Sequence, residues 1–115
     1  MNDKTQTFLE KFKTDSEKMK QIAPDIVRGF GALFAGVMKD GALKAKVKEL
    51  VALGIAVAQR CEPCIRLHVQ KSLQAGNSAA EIIEAAGVAV MMQGGPAYTH
   101  VPVVMETLES LAPKI

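Results

Sequence analysis

The sequence predicts an all-α fold, a single-domain helical bundle of about six helices over residues 1–115, and three observations carry that prediction. Ala, Leu, Lys, Glu and Met dominate the chain, and runs of alternating β-branched residues are missing. Apolar residues recur at helical spacing in segment after segment. Between those segments stand helix-stop signals: Ala23-Pro24, Lys39-Asp40-Gly41, Gly76 and Gly94-Gly95-Pro96. A chain of 115 residues buries roughly two thirds of its unfolded surface, enough to fold with neither a disulfide nor a metal as a staple.

The first helix runs from about Thr5 to Ile22, with Phe8, Leu9, Phe12, Met19 and Ile22 as its apolar positions. Pro24 suits the first turn of a second helix, Asp25 to Met38, where Ile26, Val27, Phe30, Leu33, Phe34 and Val37 make a broad apolar face. A third helix spans about Leu43 to Gln59. It is apolar on all sides beyond Glu49, which predicts a central, buried position. A fourth helix carries the cysteines and ends at Gly76, a residue suited to the left-handed position after Ala75. Ser78-Ala79-Ala80-Glu81 is a capping box opening a fifth helix with Ile82, Ile83, Val88, Val90 and Met91. The last helix runs from about Ala97 to Leu111, with Pro102 marking a kink or a later start.

Charge and composition exclude several functions. The net charge of +2 comes from interleaved residues, and the aromatics are four Phe and Tyr98, so nucleic acid is not an expected partner. The segment Met1-Asn2-Asp3-Lys4-Thr5 lacks a signal core, and the apolar run Leu50 to Ala58 is too short to cross a bilayer. The expected location is cytoplasmic, where a Cys-x-x-Cys pair is more often catalytic or metal-binding than structural. No cofactor is called for. Ile65 after Cys64 excludes covalent haem attachment, which needs histidine at that position.

The chemistry concentrates in Cys61-Glu62-Pro63-Cys64-Ile65-Arg66-Leu67-His68, which holds both cysteines and one of the two histidines. On a helix, Cys61, Cys64 and His68 fall at i, i+3 and i+7, on one face. If the helix begins near Cys61, its free N–H groups and dipole favour thiolate over thiol. A low-pKa thiol beside a second thiol and an imidazole outlines a redox centre.

Only Gln59-Arg60 separates the third helix from Cys61, so helices three and four are expected to form an antiparallel hairpin. Glu49 then lies ~14 Å back from the turn and His68 ~11 Å forward, at the helical rise per residue. The two come nearly level. A partly buried carboxylate there can orient the imidazole, hold a water or accept a thiol proton.

These residues carry a resemblance. Glu49, twelve residues before Cys61, followed by Cys64 and His68, matches the Glu-x11-Cys-x-x-Cys-x-x-x-His pattern of alkylhydroperoxidase D. Lys48-Glu49-Leu50-Val51-Ala52-Leu53 and the stretch through Ala75-Gly76-Asn77-Ser78 to Glu81-Ile82 also resemble the carboxymuconolactone decarboxylase superfamily that contains it. The likeness covers about Gly41 to Gly95. It implies an all-α, homo-oligomeric protein, a trimer or a trimer of dimers, with thiol-dependent peroxidase or disulfide-reductase activity. It also implies catalytic roles for four residues. By the resemblance Cys64, nearer the histidine, attacks the peroxide and Cys61 resolves the sulfenic acid, whereas the helix dipole alone favours Cys61 as the nucleophile. The residues themselves suit His68 as proton acceptor and Glu49 as the group that positions it. A peroxide or disulfide substrate and a thiol reductant are the implied partners. One departure stands out: alkylhydroperoxidase D has a histidine between its cysteines, where this chain has Glu62-Pro63, and an acidic neighbour raises thiol pKa values.

Other readings stand beside this one. Cys61, Cys64, His68 and Glu49 are all competent zinc ligands, which makes a metal-binding or non-redox protein the alternative, although three ligands on one helix face strain tetrahedral closure. The cysteines alone could be two small buried hydrophobes. Lactone decarboxylation is disfavoured, because the true decarboxylases do not use a cysteine pair. His100 reads as a surface or packing residue, Lys44, Lys46 and Lys48 as a solvated face, and Met91-Met92 as core or interface filler. Arg60 and Arg66 flank the cysteines and could favour thiolates, but they read as exposed charges, which contribute little at that range. The second, third and fifth helices together offer more apolar surface than one subunit hides, which predicts a homo-oligomer, a hexamer before a trimer.

Overall fold

The computed structural model describes residues 3–112. Met1 and Asn2, part of the segment read as lacking a signal core, lie outside the described residues. The architecture is all-α, with six longer helices and one single turn: α1 (Lys4–Ile22), α2 (Pro24–Met38), α3 (Ala45–Ala58), α4 (Glu62–Gln74), α5 (Ala79–Gln93), α6 (Gly95–Tyr98) and α7 (Val101–Leu111).

Each boundary has a local cause. The Asp3 carboxylate caps α1 by accepting from the Gln6 amide at 2.7 Å. Pro24 occupies the first turn of α2, where its missing N–H leaves nothing unsatisfied. The capping box of α5 is complete. Ser78 Oγ accepts from the Glu81 amide at 3.1 Å, and Glu81 Oε1 accepts from the Ser78 amide at 2.8 Å. Gly94, at φ 71°, ends α5, and the chain makes the single turn α6 before restarting as α7 with Pro102 in its first turn. Of the two alternatives for Pro102, the later start is the one observed.

Two helix ends share one geometry. After α3, the Arg60 amide donates to the Val57 carbonyl and the Cys61 amide to Ala56; after α4, the Gly76 amide donates to Leu73 and Asn77 to Ser72. Both are Schellman motifs, whose first residue beyond the cap must enter the left-handed region. Gly76 does so at φ 102° without a Cβ penalty, while Arg60 does so at φ 56° with a full side chain. These turns reverse the chain from α3 into α4 and from α4 into α5. Asn77 reinforces the second turn by donating from Nδ2 to the Lys46 carbonyl at the start of α3, at 2.9 Å.

The core is built mainly by four helices, joined by the fully buried Ala97 of α6. Leu53 and Val57 of α3, Ile65 and Val69 of α4, Ile82 and Ala86 of α5, and Val104 and Leu108 of α7 are fully buried. The α1–α2 pair lies outside this core: α1 buries only Thr5, and α2 buries no residue. The expectation of a helix α3 buried on all sides is corrected. α3 is central, but Val47, Val51 and Ile55 form an open face, with Ile55 57% exposed. Periodicity reports which faces are apolar, and one subunit has no helix left to cover this one.

Candidate functional site

The site begins at the turn between α3 and α4. The Schellman geometry at Arg60 delivers Cys61 to the N-cap of α4, with φ −102° and ψ 96°. Its sulfur accepts from the Cys64 amide at 3.4 Å. Cys61 is therefore half outside the helix, which modifies the expected single-face arrangement: Cys64 and His68 share the face one turn apart, and Cys61 closes its end. Cys61 and Cys64 are joined as a disulfide with Cα atoms 5.3 Å apart, inside the span that such a bond accepts. Pro63, at the second helical position, removes one N–H of the first turn, and that of Cys64 is directed at the Cys61 sulfur.

One level further along the hairpin, His68 Nδ1 lies 2.8 Å from Glu49 Oε1. Glu49 is 7% exposed, and the His68 side chain is largely covered. With Glu49 ionised and His68 neutral, the carboxylate can only accept, so the proton sits on Nδ1 and Nε2 carries the lone pair. The two residues come level because α3 and α4 form the antiparallel hairpin expected of them.

The structure adds two residues that sequence reasoning did not place at the site. Phe34 of α2 stacks on the His68 ring, with centroids 6.2 Å apart and planes at 25°, and Lys71 Nζ lies 5.0 Å from the Phe34 centroid. In the sequence Phe34 is one of several apolar residues on α2, and nothing distinguishes it from Phe30. Lys48 helps hold α2 over the site: its ammonium donates to the carbonyls of Val37 and Lys39, each at 2.7 Å. This corrects its reading as part of a solvated face.

Arg66 is also corrected. It is 2% exposed, not a surface charge, because its guanidinium enters the seam between α1, α4 and α7. His100 behaves as expected of a packing residue, with Nδ1 2.8 Å from the Pro96 carbonyl in its own turn. Among the described residues, no group of three Cys, His, Asp or Glu side chains is disposed to hold a metal ion. No described helix is long and apolar enough to cross a membrane.

Residues 24–105 match the carboxymuconolactone decarboxylase family. The chain belongs to that family. Its resemblance to solved carboxymuconolactone decarboxylase family structures extends over nearly the whole chain. A family protein from Legionella pneumophila is 33% identical, with a TM-score of 0.91 over 96% of this chain and 99% of that one. A family protein from Thermotoga maritima, suggested to take part in an antioxidative response, is 32% identical, with a TM-score of 0.82 over 93% of this chain and 91% of that one. An uncharacterised protein from Cupriavidus necator is 35% identical, covering 68% of this chain and 81% of its own length. The family likeness read from Glu49, the cysteine pair and His68 is thus supported along the chain.

Proposed function

We propose that this carboxymuconolactone decarboxylase family protein is a thiol-dependent oxidoreductase that reduces hydroperoxides, or disulfides, through Cys61 and Cys64. The observation that carries the reading is the pairing of two contacts on one hairpin: a Cys61–Cys64 disulfide at the start of α4, and a His68 imidazole one turn beyond Cys64 held by Glu49. The antioxidative suggestion attached to the Thermotoga maritima relative points the same way.

In the reduced protein His68, with Nδ1 bonded to Glu49, takes the Cys64 thiol proton. The Cys64 thiolate attacks one peroxide oxygen. The O–O bond breaks, Cys64 becomes a sulfenic acid, and the departing alkoxide takes the proton from His68 to leave as an alcohol. The Cys61 thiol then condenses with the sulfenic acid, expelling water and forming the disulfide. A partner dithiol reduces it by exchange, ending as a disulfide itself. A reducing compartment such as the cytoplasm supplies such thiols, and the working form is a homo-oligomer.

The test is an anaerobic thiol titration before and after a hydroperoxide. Two thiols per chain are expected before treatment and none after one equivalent, with one equivalent of alcohol formed from an alkyl hydroperoxide. Thiols that persist through excess peroxide overturn the peroxidase reading.

A further inference from the structure

Among the described residues the only buried charged side chains are Glu49 and Arg66, and the mechanism above uses the first alone. All five N–H donors of a guanidinium are engaged at Arg66. Nε and Nη2 donate to Glu62 Oε2 at 3.4 and 3.3 Å, and Nη2 also donates to Glu106 Oε1 at 2.6 Å. Nη1 donates to Thr5 Oγ1 at 2.6 Å and to Thr107 Oγ1 at 3.3 Å. Thr107 spends its own proton on the Val103 carbonyl, so its oxygen is free to accept from Arg66. Three helices thus fix one cation, whose buried field is little screened by salt.

What that cation holds is one of the two residues between the cysteines. Glu62 is the first residue of α4, with its side chain 58% exposed. A carboxylate at a helix N-terminus is drawn to the same free N–H groups that favour a thiolate. Left unrestrained beside the sulfurs, its charge opposes thiolate formation. Arg66 lies one turn along the helix and pulls the carboxylate that way. A lysine, a point charge with three donors, cannot hold this two-sided grip.

We propose that Arg66 is a positioning residue for the cysteine pair: by drawing the Glu62 carboxylate along α4 and offsetting its charge, it leaves the positive helix end to the sulfurs and keeps the pair easier to reduce. This rests on the redox reading of Cys61 and Cys64, but not on what their substrate is. The relevant exchange is balanced without any peroxide. One protein disulfide and two glutathione thiols give one protein dithiol and one glutathione disulfide, with two electrons and two protons passing to the protein sulfurs.

The experiment is that equilibrium in glutathione buffers, together with the pH dependence of alkylation of the reduced protein by iodoacetamide. Arg66→Met is expected to shift the equilibrium toward the disulfide by ~tenfold, a potential more negative by about 30 mV for a two-electron couple, and to move the alkylation profile to higher pH. Adding Glu62→Gln to Arg66→Met is expected to return both to within about twofold of the native protein, whereas Glu62→Gln alone changes them less than that. Wild-type values in a folded Arg66→Met variant overturn the proposal, as do Glu62→Gln effects that are equal in the two backgrounds. Should Arg66→Met lose its helical circular dichroism, Arg66→Lys carries the test. A smaller shift of the same sign, cancelled by Glu62→Gln, is expected, and wild-type values in folded Arg66→Lys overturn the positioning role. A protein showing these shifts while consuming no hydroperoxide refutes the peroxidase reading alone. One that consumes peroxide with no dependence on Arg66 refutes this inference alone.

Discussion

His68 is constrained from two directions, and each constraint has a separate chemical consequence. Glu49 fixes the tautomer through Nδ1, and Phe34 packs against the ring face. Replacing His68 by Ala removes the proposed proton acceptor and is expected to lower kcat/KM for a hydroperoxide by ~100-fold or more, the usual contribution of a positioned acid–base group. Glu49→Gln keeps the shape but not the charge and is expected to cost less, about tenfold, because the imidazole remains and only its orientation and charge stabilisation weaken. Steady-state peroxide consumption measures both, and equal losses in the two variants overturn this division of roles. Serine replacements assign the cysteines. A sulfenic acid probe is expected to label Cys61→Ser, where Cys64 attacks and has no partner, and not Cys64→Ser. The reverse pattern assigns the attack to Cys61, the sulfur that caps α4.

At the scale of elements, the helices are set by their ends. The Asp3 carboxyl is held below its ordinary value chiefly by the Gln6 amide, and the Glu81 carboxyl chiefly by the Ser78 amide. Each is depressed in the folded protein, so its contribution is fully present above the unfolded values, 3.8 and 4.5 respectively. That contribution is lost as pH falls through the lower folded values. Thermal midpoints are therefore expected to decline below about pH 4.5, and the Asp3→Asn variant is expected to show a shallower decline. A thermal midpoint whose pH dependence is unchanged by Asp3→Asn counts against this assignment. Separately, Ser78→Ala removes an N-cap acceptor at the α4–α5 turn and is expected to destabilise by about 1 kcal/mol in chemical denaturation.

At the scale of the molecule, the described chain hides too little of its apolar surface. The Cα radius of gyration is 14.5 Å, against about 13 Å expected for a compact chain of this length. α2 exposes Ile26, Phe30, Leu33 and Val37, and the groove between α3 and α5 exposes Val51, Ile55, Val88 and Met92. Contiguous apolar patches of this kind mark interfaces. The expected assembly is a homo-oligomer, a hexamer before a trimer, whose contacts cover these faces. Sedimentation at micromolar concentration checks it, and a stable monomer with native helicity overturns it.

By itself the sequence determined the six longer helices, the helix ends at Pro24, Gly76 and Ser78, and the level at which Glu49 meets His68. Those features depend on short-range rules: a 3.6-residue period, Pro24 and Ser78 at helix starts, Gly76 at a helix end, and a hairpin too tight to change register. Only the tertiary structure decided which helix faces meet. Arg66 reads as a surface charge because arginine usually is one, and its burial depends on α1 and α7 arriving from residues far along the chain with Thr5, Thr107 and Glu106. Phe34 is indistinguishable from Phe30 until α2 crosses the site and brings one ring, not the other, onto His68. Cys61 looks helical by spacing, yet Arg60 in the left-handed region makes it a cap. In each case the deciding contact joins side chains distant in sequence or depends on a backbone angle that residue type does not specify, and local periodicity carries no information about either.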